Sequence, residues 1–180
     1  MVGHRIVLTG GGTGGHIYPA LSVAEQLKDD PSVEAILYIG ASGHPEEKLA
    51  RDNGLDFIGL NVSGMPRSLS PRLITWPLQM WSAIERAKEV LRQFRPTVVL
   101  GTGGYASAPP LAAANALGVP TAVHEPDAHP GLVNRLLSRR AQLVSLGMQG
   151  AAARINAPRG RIVFNGNPVR KSFLAERHRD

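Results

Sequence analysis

Two glycine-rich segments, each directly after a short apolar run, constrain the fold of this chain most. The first covers residues 10–15 and follows the run 5–9, and the second covers 101–104 and follows 97–100. A strand that ends in a glycine turn and continues into a helix leaves free backbone N–H groups at the positive end of the helix dipole. Two such turns predict a site for two anionic groups, or for one diphosphate held from both sides.

Short apolar runs alternate with helical patterns along the whole chain. The predicted strands are 5–10, 35–40, 56–62, 97–101, 120–124, 142–146 and 161–165. The predicted helices are 15–29, 45–53, 71–94, 107–118 and 130–139, with a short one near 148–154. Strands rich in Val, Ile and Leu and separated by helices are typical of a parallel sheet covered on both faces. We therefore expect an α/β domain with a doubly wound, Rossmann-like parallel sheet of about seven strands.

Composition and charge narrow the classes of partner. The 180 residues, 43% of them hydrophobic and 19% charged, predict one globular domain, and no apolar run reaches the roughly 18–20 residues that span a bilayer. The amino terminus runs directly into a strand, so no signal peptide is expected, and the lack of cysteine fits a cytoplasmic protein. The net charge of +6 suits a phosphorylated ligand, an anionic membrane surface or simply a basic surface. The basic residues are scattered without an RNA-binding signature, so nucleic acid is not expected as a partner.

The first glycine segment fits neither common nucleotide motif. Gly10, Gly12 and Gly15 have the G-x-G-x-x-G spacing, but the second strand has no carboxylate before Glu46 to bind a ribose, which argues against NAD. A P-loop would carry Lys and then Ser or Thr after the last glycine, where this chain has His16.

Polar residues at the same edge of the sheet are candidates for chemistry. His16 lies where the first helix begins, and either accepts a proton or caps the turn. Glu125, after His124 at the end of the fifth strand, is a candidate general base or the partner of a nearby arginine. Asp127 could be a turn residue, and Tyr105 could be a stacking platform or a packing residue.

Five ordered motifs resemble the MurG family of glycosyltransferases, which add N-acetylglucosamine to lipid I to make lipid II in peptidoglycan synthesis. These motifs are 10–21, 101–107, 118–125, 131–135 and 166–170. The resemblance covers essentially the whole chain and corresponds to the family's amino-terminal half. It implies an inverting GT-B enzyme in which residues 1–168 form a Rossmann-like acceptor-binding domain and 169–180 begin a linker. On this resemblance, the carboxyl-terminal donor-binding domain is expected to lie outside these 180 residues.

The resemblance also implies roles for individual residues. Those expected to bind the acceptor diphosphate are Gly14, Gly15, Gly103, Gly104, Tyr105 and His124. Those expected to contact the donor are Thr13, Gly14, Gly15, Asp127 and Arg170. His16 and Glu125 are the expected catalytic residues. The implied partners are lipid I and, together with the missing domain, UDP-N-acetylglucosamine, with no cofactor and no metal; the chain has no Asp-x-Asp pair. Where the family reads His-Glu-Gln-Asn, this chain has Pro126 and Asp127, which puts donor affinity in question.

The predicted helix 71–94 carries two apolar stripes. Residues at core-facing spacing are Leu73, Pro77, Met80, Ile84, Ala87, Leu91 and Phe94. Ile74, Leu78 and Trp81 form the second stripe, with Trp76 beside them and with Arg67, Arg72 and Arg86 nearby. Exposed Trp and Leu beside basic residues suit docking at an anionic bilayer surface, and a second packing face is the alternative. The lipid-linked acceptor that the resemblance implies favours the membrane, and with it a peripheral location on the cytoplasmic face of the cell membrane.

Two other functions stay open at this point. One is a non-catalytic, membrane-docked acceptor-binding subunit of a two-chain glycosyltransferase, and the other is a related transferase with an altered donor. The isolated chain is expected to have little or no transferase activity.

Overall fold

A seven-stranded parallel sheet in the order β3-β2-β1-β4-β5-β6-β7 forms the centre of the computed structural model, which describes residues 3–66 and 71–171. The strands are β1 (His4–Thr9), β2 (Val33–Ala41), β3 (Asp56–Leu60), β4 (Val98–Gly101), β5 (Thr121–Glu125), β6 (Leu143–Leu146) and β7 (Ile162–Phe164). The helices are α1 (Gly14–Leu27), α2 (Pro45–Asp52), α3 (Arg72–Phe94), α4 (Ala108–Leu117) and α5 (Leu132–Leu137). Short 3₁₀ helices cover Tyr105–Ser107, Gln149–Arg154 and Arg159–Arg161. The predicted fold class is confirmed, and the short helix near 148–154 is of the 3₁₀ type.

The sheet is covered on both faces because its strands are apolar on both faces. Along β1, Ile6 and Leu8 belong to a buried cluster with residues of α1 and α2. Val7 between them belongs to the cluster on the opposite face, with residues of α3 and α4. Side chains alternate between the faces of a strand, so a continuous apolar run needs helices on both sides.

The strand order places the two glycine segments next to each other. The chain builds β1, β2 and β3 outward in one direction and then returns to place β4 on the other side of β1. Thr9 pairs with Gly101, so β1 and β4 end level with one another. Open α/β sheets bind their ligands at the carboxyl ends of the strands where the order reverses, which here is between β1 and β4.

The end of the described chain returns to α1. The backbone N–H of Lys171 donates to the Glu25 carboxylate at 3.1 Å, and the Arg170 guanidinium lies 4.6 Å from the centre of the Tyr18 ring. Of the predicted linker 169–180, the structure describes 169–171, and the remainder lies outside the described residues.

Helix α3 packs with a narrower face than the sequence predicts. Its buried residues include Ala83, Ala87, Val90 and Leu91, whereas Pro77, expected in the core, is exposed. The predicted core-facing residues repeat every 3.5 positions, whereas an α-helix has 3.6 residues per turn. Their direction therefore turns by about 20° per heptad, and Pro77 lies at the edge of the face that packs on the sheet. Within the described ranges, no helix is long and apolar enough to cross a membrane.

Candidate active site at the two glycine loops

The first glycine loop (residues 10–15) and the second glycine loop (101–104) are in direct contact. The Gly11 N–H donates to the Gly103 carbonyl oxygen at 3.3 Å. Gly103 and Gly104 have φ values of +107° and +78°, in the left-handed region that favours glycine. A Cβ at Gly104 would lie 1.9 Å from the Gly11 carbonyl oxygen, and one at Gly103 would lie 2.7 Å from Cδ2 of His16. This contact therefore requires glycine at both positions.

Two buried hydroxyl groups bind backbone carbonyl groups at the two ends of the first glycine loop. The Tyr38 hydroxyl donates to the Gly10 carbonyl oxygen at 2.6 Å, and the Thr102 hydroxyl donates to that of His16 at 2.5 Å. Both residues are fully buried, and burial raises the pKa of the Tyr38 phenol, which keeps it a donor. The sequence analysis did not identify either residue as part of the site.

Glu46 is a buried carboxyl group beneath the first glycine loop. It accepts hydrogen bonds from the backbone N–H of Ala41 at 3.2 Å and, more weakly, of Gly12 at 3.5 Å. A Cβ at Gly11 would lie 2.2 Å from Oε1 of Glu46, and one at Gly40 would lie 2.8 Å from its Cγ. The two glycines therefore make room for this side chain, which supports the loop. In the sequence it was noticed only as a carboxylate too late for a ribose contact.

His16 and Tyr105 lie at the junction of the loops. His16, half-buried in the first turn of α1, has Nδ1 3.1 Å from the Thr13 hydroxyl. The Tyr105 hydroxyl lies 3.1 Å from Nδ1 of His44, and the two rings meet edge to face at 5.9 Å. Burial, and secondarily the negative charge of Glu46, raise the pKa of Tyr105, so its phenol is neutral at pH 7. His44 was not predicted.

Two cavities open at this junction. The more polar of the two, called the polar cavity, has a volume of about 540 Å³ and is lined by Gly11, Gly12 and Thr13 of the first glycine loop and by residues 64–66. Gly14 and Gly15, which open α1, are not among the residues that line it. The apolar cavity, of about 400 Å³, extends between α3, α4 and α5. Both are bordered by His16, Met65, Gly104 and Tyr105. His16, in the first turn of α1, borders the polar cavity, and the first N–H groups of a helix have no partner within it, so the positive end of α1 beside this cavity suits a phosphorylated ligand.

His124 lies deeper than expected for an acceptor-binding residue. It is 4% exposed, with Nδ1 3.1 Å from the Ser145 hydroxyl and Nε2 3.1 Å from Oδ1 of Asn167. The Asn167 amide nitrogen donates to the Pro126 carbonyl, which turns its oxygen toward His124 and assigns the ring proton to Nε2. His124 is not among the described residues that line either cavity. Both ring nitrogens have partners within the domain, and direct contact of His124 with the acceptor stays a prediction.

Glu125 holds the loop that follows β5. Its buried carboxylate accepts hydrogen bonds from the N–H of Asp127 at 3.0 Å, the N–H of Gly131 at 3.2 Å and the amide of Asn134 at 2.9 Å. These partners differ from the arginine expected under the alternative interpretation. They fix the turn that contains Asp127 and the start of α5. Of the two predicted bases, His16 is the one that faces the cavities.

The comparisons with known proteins agree with this geometry. Residues 6–145 match the model of the glycosyltransferase family 28 N-terminal domain. The chain belongs to glycosyltransferase family 28. Its relatives include a protein of Bacteroides fragilis, 38% identical over 96% of this chain, and one of Halothermothrix orenii, 40% identical over 94%. Both are named UDP-N-acetylglucosamine–N-acetylmuramyl-(pentapeptide) pyrophosphoryl-undecaprenol N-acetylglucosamine transferase.

A solved crystal structure is similar to this chain in both fold and sequence. The crystal structure of Acinetobacter baumannii MurG superposes with a TM-score of 0.74 and 27% identity over 92% of this chain. The chain spans about half the length of the relatives it matches: 45% and 46% of the two proteins named above and 46% of that structure. The resemblance to the MurG family is confirmed, and so is its restriction to the amino-terminal half.

Most residues expected to contact the donor in this family 28 domain cluster at the start of α1. Gly14 and Gly15 open the helix, and the Thr13 carbonyl accepts hydrogen bonds from two N–H groups of its first turn. Arg170 lies over the Tyr18 ring, which is 3.3 Å from where a Cβ of Gly14 would be. Asp127 is apart from them, exposed in the loop after β5.

The predicted membrane stripe is exposed on α3, with one exception. Ile74, Leu78 and Trp81 are 80%, 68% and 64% exposed. Trp76 is half-buried, and its indole N–H donates to the Ser63 carbonyl at 3.0 Å, so it faces inward instead of joining the stripe. Arg67 and the side chain of Arg72 lie outside the described part of the chain.

Proposed function

We propose that this chain is the acceptor-binding half of an inverting, metal-independent glycosyltransferase. The enzyme would transfer N-acetylglucosamine from UDP-N-acetylglucosamine to undecaprenyl-diphospho-N-acetylmuramoyl-pentapeptide. The observation that carries the proposal is the contact of the two glycine loops, which places glycines of both loops and His16 around one polar cavity at the start of α1. The names of the relatives supply the reaction.

His16 is the proposed general base. With its Nδ1–H donating to the Thr13 hydroxyl, Nε2 keeps the lone pair that takes the proton from the acceptor hydroxyl. The hydroxyl oxygen then forms a bond to the anomeric carbon of the donor sugar. The bond from that carbon to the diphosphate breaks, and UDP leaves with the electron pair, which inverts the anomeric centre. Backbone N–H groups and helix dipoles would stabilise the charge of both diphosphates.

The donor is proposed to lie between this domain and a second domain that corresponds to the part of the relatives this chain does not match. Thr13, Gly14, Gly15 and Arg170 would contribute one border of that site at the start of α1, and Asp127 would approach it from the loop after β5. A carboxylate near a diphosphate weakens binding by like-charge repulsion, so Asp127 would lower donor affinity relative to an amide.

Membrane docking completes the proposal. Ile74, Leu78 and Trp81 present an exposed apolar stripe on α3, which would insert among lipid headgroups while basic residues contact anionic lipids. This arrangement would bring a lipid-linked acceptor to the polar cavity from the cytoplasmic face of the membrane.

The test is titration of a short-chain lipid I analogue into the 180-residue chain by calorimetry. We expect saturable binding that His16→Ala and Tyr105→Ala each weaken about tenfold, since both side chains line the cavity. His129→Ala, in the exposed loop after β5, is the matched control and should bind normally. Equal affinities for all four proteins would contradict the proposed site.

A further inference from the structure

The apolar cavity has no role in the mechanism above. Its wall from α3 consists of Trp76, Met80 and Ile84, which lie on one side of the helix at four-residue spacing. The opposite walls include Ala112 of α4 and both Leu132 and Leu136 of α5. A volume of about 400 Å³ is within the range of sites that bind small molecules.

This cavity is an open groove and not a packing defect. Leu132 and Leu136 line it and are nevertheless 62% and 55% exposed, so its mouth reaches the solvent. The indole N–H of Trp76 donates to the Ser63 carbonyl, so only the apolar ring face of this residue is free to contact a ligand. Met65 and Met80 add flexible side chains that adapt to an irregular apolar ligand.

The junction with the polar cavity identifies the kind of occupant. The groove and the polar cavity share His16, Met65, Gly104 and Tyr105. One cavity is lined by both glycine loops beside the positive end of α1, which suits an anion, and the other offers almost only hydrocarbon. A ligand that fills both must therefore carry a phosphorylated head joined directly to an apolar chain.

We propose that the groove binds the first isoprene units of the acceptor's prenyl chain, next to its diphosphate. This inference rests on the proposed function and adds a binding subsite to it. The groove and the exposed stripe lie on different sides of α3, because at about 100° per residue the centre of Trp76, Met80 and Ile84 is about 130° around the helix from the centre of the stripe. The prenyl chain would thus be gripped by the protein near its diphosphate, while the stripe contacts the membrane.

Farnesyl diphosphate and inorganic pyrophosphate are the probes, without membranes present. The chain has two tryptophans, so Trp81→Phe leaves Trp76 as the only indole, inside the groove. In this variant we expect farnesyl diphosphate to change the Trp76 fluorescence and to bind at least about tenfold more tightly than pyrophosphate, because apolar surface is buried as well.

Two groove variants and one control make the test specific. Ala112→Leu, which fills the groove, and Leu136→Asn, which makes its exposed wall polar, should each reduce farnesyl diphosphate affinity to that of pyrophosphate while leaving pyrophosphate binding unchanged. Ala116→Leu, on the exposed side of α4, should change neither affinity. If Ala112→Leu fails to fold, Leu136→Asn still tests the groove, because Leu136 is about half exposed and its replacement should not disturb the core.

The contradicting results are distinct for the two proposals. If farnesyl diphosphate binds no more tightly than pyrophosphate, or if both groove variants bind it normally, the prenyl subsite is wrong while the diphosphate site stands. If neither probe binds, the proposed acceptor site fails as well.

Discussion

Gly104 lies against the backbone of the first glycine loop with no room for a side chain. A methyl group there would meet the Gly11 carbonyl at 1.9 Å, whereas at Gly118, which also has a positive φ, nothing lies within 4 Å. Gly118→Ala should therefore cost only the strain of a left-handed alanine, about 1 kcal/mol. Gly104→Ala should cost about 2 kcal/mol more, because the loops must separate. Urea unfolding of both variants measures the difference, and equal losses would show that the loops do not touch.

His124 should give the stability of the domain a dependence on pH. Burial lowers the pKa of its imidazole below the unfolded value of 6.5, and the hydrogen bond to Asn167 opposes this only in part. Below pH 6.5 the unfolded chain binds a proton that the folded protein resists, so stability falls with falling pH, by at most about 1.4 kcal/mol per unit. Between pH 7 and 5, the thermal midpoint should fall less in His124→Gln than in the unmodified protein. His129→Gln is the control, and parallel curves for all three would contradict the buried neutral imidazole.

Single residues were predictable from the sequence where the backbone or a motif fixed them. The glycine loops, His16 and Tyr105 came from local patterns, and the structure places them together. Tyr38 and His44 were missed because their partners are 28 and 61 residues away along the chain. Glu46 has a partner five residues away in Ala41, but its place beneath the first glycine loop depends on Gly12, which is 34 residues away. The position of Glu125 at a strand end follows from the apolar run before it, but its hydrogen bonds to residues 127, 131 and 134 depend on the path of one loop.

At the scale of elements, the alternation of apolar runs and helical patterns was enough to predict all seven strands. Continuous apolar runs are typical of strands buried on both faces, and glycine or proline marks their ends. No local sequence pattern predicts the order of the strands in the sheet. It is this order, with β4 beside β1, that brings two loops about 90 residues apart into contact.

The exposed stripe of α3 should be needed for membrane binding and not for folding. Leu78→Ser and Trp81→Ser remove apolar side chains that are mostly exposed, so both variants should keep the stability of the fold. We expect each to reduce retention on liposomes of anionic lipid several-fold at low salt, because insertion depends on apolar area. Gln93→Ser, exposed near the other end of α3, is the control. If the liposomes do not retain the unmodified chain, or retain both stripe variants equally well, the stripe is a surface for packing and not for membrane binding.

The whole molecule corresponds to about half of its relatives' length. We propose that this domain binds the acceptor at the glycine loops and in the apolar groove. The part of the relatives that this chain does not match would supply most contacts to the donor. The sequence indicated this division through the family resemblance alone. Physical reasoning from the residues reached only a site for a diphosphate.

The most direct test of this account compares the two substrates on the same chain. Equilibrium dialysis of the 180-residue protein would use a labelled short-chain lipid I analogue and, separately, labelled UDP-N-acetylglucosamine. We predict saturable binding of the acceptor analogue and donor binding at least about tenfold weaker, because most donor contacts are expected in the other half. Tight binding of UDP-N-acetylglucosamine without binding of the acceptor analogue would contradict the account and place the substrates on opposite halves.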